Sequence, residues 1–74
     1  MELDLHGIRH VDVRNLVIHF IEDNWDSTDP CTVITGHSPE MKSIVKKVLD
    51  EYKLNYSDNN FFGVDNPKIV FNFN

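Results

Sequence analysis

The segment CTVITGHSPE, residues 31–40, contains the transition that decides the fold, from a β-rich run into a helix start. The run CTVI, residues 31–34, is rich in β-branched and apolar side chains and predicts a strand. Ser38, Pro39 and Glu40 then supply an N-cap hydroxyl, a proline suited to the first helical position and an acid in the first turn. Together these residues predict a strand that passes through a short turn directly into a helix.

Two amphipathic helices are predicted on either side of this strand. The second runs from Ser38 to about Lys53, with apolar residues spaced as one helical face: Met41, Ile44, Val45, Val48, Leu49 and Tyr52. The first spans residues 10–25 and has a comparable stripe: Val13, Leu16, Val17, Phe20, Ile21 and Trp25. Before it, residues 2–6 alternate apolar and polar side chains, which predicts a half-buried strand ended by Gly7.

The remaining third of the chain predicts two further strands. Residues 54–56 form a short one, residues 57–67 a long polar connection, and residues 68–73 a final strand. Two successive β-α-β crossovers make the first three strands parallel, and the last strand is expected to return antiparallel beside the third. We therefore predict a single domain, residues 1–74, of α/β class: a βαβαββ two-layer α+β sandwich with a four-stranded mixed sheet covered by two helices on one face.

The composition restricts the class of protein. A chain of 74 residues makes one domain at most, and its 41% hydrophobic content is too high for a disordered chain. No apolar run approaches the roughly 20 residues of a membrane helix, so no membrane association is expected. The single cysteine, Cys31, excludes an internal disulfide and fits a reducing compartment, which predicts a cytoplasmic protein.

The charge distribution bears on nucleic-acid binding. A net charge of −5 argues against tight nonspecific binding, which depends on Lys and Arg meeting phosphates. Residues 1–38 hold two arginines and seven acids, whereas residues 39–74 hold five lysines and five acids. Four of these lysines fall on the second predicted helix and its exit. The charge distribution is therefore compatible with a local basic face on that helix, but not with a strongly basic one.

Two polar residues, Asp4 and His6, lie at the end of the first predicted strand in the run LDLHG, residues 3–7. Asp4 and His6 are two apart on one strand and so share a face. A carboxylate beside an imidazole suits a general acid–base pair or metal ligation. The alternative is that Asp4 only caps a neighbouring loop or fixes the turn with His6.

A second polar run, TGHS at residues 35–38, follows the next strand at the same sheet edge. A helix N-terminus favours anions, and Gly36 would let the backbone approach a phosphate. The run lacks the second glycine and the Gly-Lys-Ser/Thr ending of a P-loop. Lys42 and Arg9 would flank this edge and neutralise phosphates. The alternatives are an N-cap role for Ser38, an inert surface His37 and solvated surface charges.

Taken together, the LDLHG and ITG motifs at the ends of the first two strands of a βαβαββ unit resemble the Smr (small MutS-related) domain family, over essentially the whole chain. The family's second motif usually ends in glycine where this chain has Ser38. The resemblance implies a nucleic-acid-binding domain, and many members of the family nick DNA or cleave RNA. It implies a binding edge that includes Asp4, His6, Gly7, Thr35, Gly36, Ser38 and Lys42.

Two functional hypotheses from different classes follow. The first is a nucleic-acid-binding domain. In this hypothesis it is also an endonuclease that nicks DNA or RNA, with Asp4 and His6 as catalytic residues. Its substrate-binding residues would be Gly7, Arg9, Thr35, Gly36, His37, Ser38 and Lys42. No residue set is assigned as a metal site, and any Mg²⁺ would be held partly by substrate phosphates. The second is a non-catalytic adaptor that contacts a protein partner; a small-molecule enzyme is less favoured, because so short a chain leaves little room for a closed pocket.

Overall fold

A computed structural model describes residues 1–57 and 67–73, and within them the six elements follow the predicted order. The first unit consists of β1 (Glu2–Asp4), α1 (His10–Asp23) and β2 (Cys31–Ile34). The second unit follows as α2 (Pro39–Glu51), β3 (Asn55–Ser57) and β4 (Lys68–Asn72). The predicted connection over residues 57–67 lies mostly outside the described residues.

The four strands form one mixed sheet in the order β1-β2-β4-β3. β1 and β2 are parallel, and β4 is antiparallel to both β2 and β3. The predicted antiparallel pairing of the last two strands is therefore confirmed. The sequence did not predict that β4 lies between β2 and β3. Because β1, β2 and β3 all run in one direction, their carboxyl ends lie at one edge of the sheet.

One apolar core forms between the two helices and a single face of the sheet, as predicted. Each strand alternates between this face and the opposite one, where β4 presents exposed side chains. The opposite face is thus open among the described residues. The core consists of Leu5, Val13, Val17, Ile21, Cys31, Val33, Met41, Val45, Val48, Leu49, Ile69 and Phe71.

The first helix ends two residues earlier than its apolar spacing predicts. The Asn24 side chain donates a 2.8 Å hydrogen bond to the Phe20 carbonyl, and its backbone N–H bonds the same carbonyl at 3.2 Å. Asp26 follows with a φ of +62°, which is incompatible with a continuing helix. The prediction that Trp25 belongs to the buried stripe is therefore wrong, because the residue lies in the turn after α1 and is 54% exposed.

The two helices are joined across their outer surface by an ion pair. The Arg14 guanidinium donates two hydrogen bonds to the Glu51 carboxylate, at 2.6 and 3.0 Å. The bond to Arg14 lowers the pKa of Glu51, and the same bond raises the pKa of Arg14.

Neither described helix has the length and apolar character needed to cross a bilayer.

Candidate functional site

The ends of β1 and β2 lie side by side at the carboxyl edge of the sheet. Asp4, the last residue of β1, is the direct partner of Ile34, the last residue of β2. The Leu5 N–H continues the ladder by donating to the Ile34 carbonyl at 3.0 Å. The two polar runs that follow these strands therefore start next to each other.

The turn after β1 is organised by the Asp4 carboxylate. Its Oδ1 accepts a 2.8 Å hydrogen bond from the backbone N–H of His6. The turn closes where the Ile8 N–H donates to the Leu5 carbonyl at 3.0 Å, and Gly7 adopts a φ of +77°, a region that favours glycine. Asp4 therefore does fix the turn. Asp4 and His6 both remain exposed, and one hydrogen bond leaves a carboxylate with further acceptor capacity.

The turn after β2 is tied to the start of β4. The Pro67 carbonyl accepts hydrogen bonds from the Thr35 and Gly36 N–H groups, at 2.8 and 3.1 Å. The buried Thr35 hydroxyl lies 3.0 Å from that carbonyl and 2.9 Å from the Gly36 carbonyl. The Gly36 amide, expected from the sequence to face a phosphate, is thus engaged within the protein, and Thr35 has a structural role in the same turn.

The two helices begin at this same edge. The Ser38 hydroxyl accepts a 3.2 Å hydrogen bond from the Met41 N–H, which confirms its predicted N-cap role. At the start of α1, the His10 Nδ1 lies 3.2 Å from a carboxylate oxygen of Glu40 in the first turn of α2. This contact brings the two helix starts, and the turns that precede them, onto one surface.

The cations at this edge differ in accessibility. The Arg9 side chain is 80% exposed and its Nε lies 3.4 Å from an Asp12 carboxylate oxygen. Lys42 is only 7% exposed, so it does not lie on a solvated helix face. Lys68 begins β4 and pairs with Ile34, which in turn pairs with Asp4, so the three share one row of the open face. Sequence reasoning missed Lys68 because nothing local predicts that β4 adjoins β2.

A shallow depression of about 440 Å³ lies beside the first turn. It combines two of the predicted binding residues, Gly7 and Arg9, with apolar and amide-bearing side chains. The sequence had placed Asn15 only on the outer face of α1, with no signal for a role here. The full lining is Gly7, Ile8, Arg9, Asp12, Asn15 and Leu16.

This edge carries an exposed carboxylate, Asp4, and an exposed imidazole, His6. The Arg9 cation and the depression lie beside them, so the edge could bind an anion and support acid–base chemistry. The residues described hold no group of three or more His, Cys, Asp or Glu side chains arranged for a metal ion. The Cys31 thiol is buried at the start of β2, and burial raises its pKa, which makes it a poor nucleophile.

Comparison with protein-family models, curated proteins and solved structures finds no match for this chain.

Proposed function

We propose that this chain is a minimal Smr-like domain that acts in the cytoplasm, binds nucleic acid at the carboxyl edge of β1 and β2, and nicks a phosphodiester bond of DNA or RNA. The observation that carries the proposal is the direct pairing of Asp4 with Ile34, which sets the LDLHG and TGHS turns next to each other. In sheets with parallel strands, ligands collect at this edge.

Binding would depend on two cations, Arg9 and Lys68, and on the depression that Arg9 and Gly7 line together with residues of α1. Arg9 is exposed, and its guanidinium can donate two parallel hydrogen bonds to a phosphate. Lys68 adds a second positive charge in the same row as Asp4. The depression beside Gly7 offers apolar surface together with the Asn15 amide, a combination suited to an unpaired base.

Cleavage would use the exposed pair on the first turn. The Asp4 carboxylate orients and deprotonates a water, whose oxygen attacks phosphorus. As the opposite P–O bond breaks, the His6 imidazole acts as the general acid and donates a proton to the leaving oxygen. A divalent ion such as Mg²⁺ would take Asp4 as one ligand and substrate phosphates and waters as the others, since a lone carboxylate is an incomplete site.

The first test incubates the purified chain with labelled single-stranded RNA, single-stranded DNA and branched DNA at low salt, with Mg²⁺ and separately with EDTA. The informative variant is Asp4→Asn, because the amide oxygen still accepts the hydrogen bond from the His6 N–H while the charge is removed. We expect Asp4→Asn to bind but not cleave. Full cleavage by this variant would refute the catalytic role of Asp4.

The second test measures binding against salt. Removing one phosphate contact should reduce the slope of log K against log salt by about 0.7 for a single strand. Arg9→Gln should show this reduction. Lys53→Gln is the matched control, because it removes one exposed positive charge at the opposite end of the molecule, after α2. Equal effects of both variants would show that net charge, and not this edge, governs binding.

A protein-interaction adaptor is the second candidate function. The observation that favours it is a 54% exposed tryptophan, Trp25, which follows α1 at the edge of the sheet opposite the carboxyl ends of β1 and β2. If the chain neither binds nor cleaves any of the nucleic acids, the nucleic-acid proposal fails and the adaptor becomes the leading hypothesis.

A further inference from the structure

Three aromatic side chains meet at the edge of the sheet opposite the candidate site. Trp25 follows α1, Tyr52 follows α2 and Phe73 follows β4. The ring centroids of Trp25 and Phe73 lie 5.2 Å apart, and those of Trp25 and Tyr52 lie 6.3 Å apart. We call this cluster, together with the adjacent Glu22, the aromatic patch; a depression of about 390 Å³ is lined by Glu22, Trp25 and Tyr52.

The exposed indole is held in a fixed position. Its two ring neighbours pack against it at interplanar angles of 58° for Tyr52 and 60° for Phe73, within the range of favourable tilted and edge-to-face aromatic contacts. The backbone is fixed as well, since the Trp25 N–H donates to the Glu22 carbonyl at 3.4 Å and the Ser27 N–H to the Asn24 carbonyl at 2.9 Å. An exposed aromatic side chain that is already ordered loses little entropy on binding.

The surroundings of the patch are strongly acidic. Residues 22–29 contain four acids and no base, and all four acids are exposed: Glu22, Asp23, Asp26 and Asp29. None of the ion pairs between described residues includes any of them. The nearest base in sequence to a ring of the patch is Lys53, which follows Tyr52. One lysine does not offset four acids, so the net charge around the patch is negative. This charge repels phosphates and attracts cations.

We propose that the aromatic patch docks a basic segment of a partner protein, with an arginine side chain lying over the face of Trp25 and paired with Glu22. The indole face is the strongest of the aromatic cation–π acceptors, and arginine its commonest protein partner. The acidic loop from Asp23 to Asp29 supplies attraction for further basic residues of the same segment. This surface is separate from the nucleic-acid edge, so both can be occupied together.

Self-association is the main competing explanation for an exposed aromatic surface. The chain has a net charge of −5, so two acidic patches brought face to face would repel. Nucleic acid is disfavoured at this end for the same electrostatic reason. A basic peptide is the occupant that satisfies both the apolar rings and the surrounding charge.

The chain supplies its own reporter, because Trp25 is its only tryptophan. The experiment titrates the full chain with a capped (Arg-Gly)₄ peptide at low salt while tryptophan emission is recorded, with a capped (Glu-Gly)₄ peptide as control. We expect a saturable emission change with the basic peptide alone. Glu22→Gln, which keeps the reporter and removes one exposed carboxylate, should weaken binding by up to about 5-fold, the size of one exposed ion pair. Glu40→Gln, at the opposite end, is the matched control and should bind as the wild type does.

A second measurement protects against loss of packing in the tryptophan variant. Amide chemical shifts of Trp25→Phe are followed during the same titration, after its fold is verified by circular dichroism; a weaker ring face should again reduce affinity roughly 2- to 5-fold. No saturable change, an equal response to the acidic peptide, or equal weakening by Glu22→Gln and Glu40→Gln would overturn the proposal. A concentration-dependent emission change without peptide, matched by dimer in sedimentation, would also overturn it and assign the patch to a second copy.

Discussion

The replacement of Gly36 by alanine should destabilise the protein through backbone strain alone. Gly36 has a φ of +69°, in the left-handed region where an L-residue loses roughly 1–2 kcal/mol. A Cβ added at this position would meet no atom within 4 Å, so steric contact adds nothing. Alanine also restricts the unfolded chain, which offsets about 0.4–1 kcal/mol. We therefore expect a net loss of about 1 kcal/mol.

Such a loss is measurable in a domain of this size. At about 0.05–0.15 kcal/mol per residue, the total stability of 74 residues is roughly 4–11 kcal/mol. A loss of about 1 kcal/mol should lower Tm by about 4–8 °C in a domain of this length. The assay is urea and thermal unfolding followed by circular dichroism.

Two further variants separate backbone strain from other causes. Gly36→Asn should cost less than Gly36→Ala, because asparagine tolerates the left-handed region better. Gly7→Ala should resemble Gly36→Ala, since Gly7 has a φ of +77° and equally open surroundings. The reasoning is refuted if Gly36→Ala is as stable as the wild type, or if asparagine is as damaging as alanine. Because the fold is weakened, any loss of nucleic-acid binding by Gly36→Ala must be measured well below its Tm.

The other predictions concern the two ends of α2. Ser38→Ala removes the acceptor for the Met41 N–H and should cost about 1 kcal/mol in urea unfolding, while Ser38→Asp should retain most of the stability; equal losses in both would argue against capping. The folded-state pKa of Glu51 is lowered by its bond to Arg14, so this contribution to stability is present above the unfolded pKa of about 4.3 and is lost as pH falls through the folded value. Urea midpoints of wild type and Glu51→Gln should therefore converge between neutral and strongly acidic pH, and a pH-independent gap would contradict the ion pair.

Local sequence predicts the elements of this fold because each has a local physical cause. The spacing from Met41 to Tyr52 requires a helix to bury one stripe, and Ser38 and Pro39 fix where that helix begins. The ends of the elements were less predictable. The apolar spacing alone carries α1 on to Trp25, whereas capping by Asn24 and the left-handed Asp26 end the helix at Asp23.

The candidate site, like the fold, was predictable from the sequence only in part. The sequence predicts which residues follow β1 and β2 and, through the parallel crossover, that they share an edge. It does not predict hydrogen bonds to distant residues. The Pro67 carbonyl, about thirty residues away along the chain, engages the Gly36 amide, and tertiary packing covers Lys42, which periodicity alone left on a solvated face.

The sequence by itself determined the identity and order of the helices and strands, the acidic balance, and the polar turns at two strand ends, because periodicity, capping and charge are properties of neighbouring residues. Only the tertiary structure decided that β4 enters between β2 and β3, which sets Lys68 in the row of Asp4. It also gathered Trp25, Tyr52 and Phe73 at the far edge. The strand order and the aromatic cluster both depend on contacts between residues that are far apart in the chain. Such contacts are selected because they bury the whole core, and local sequence preferences do not determine them.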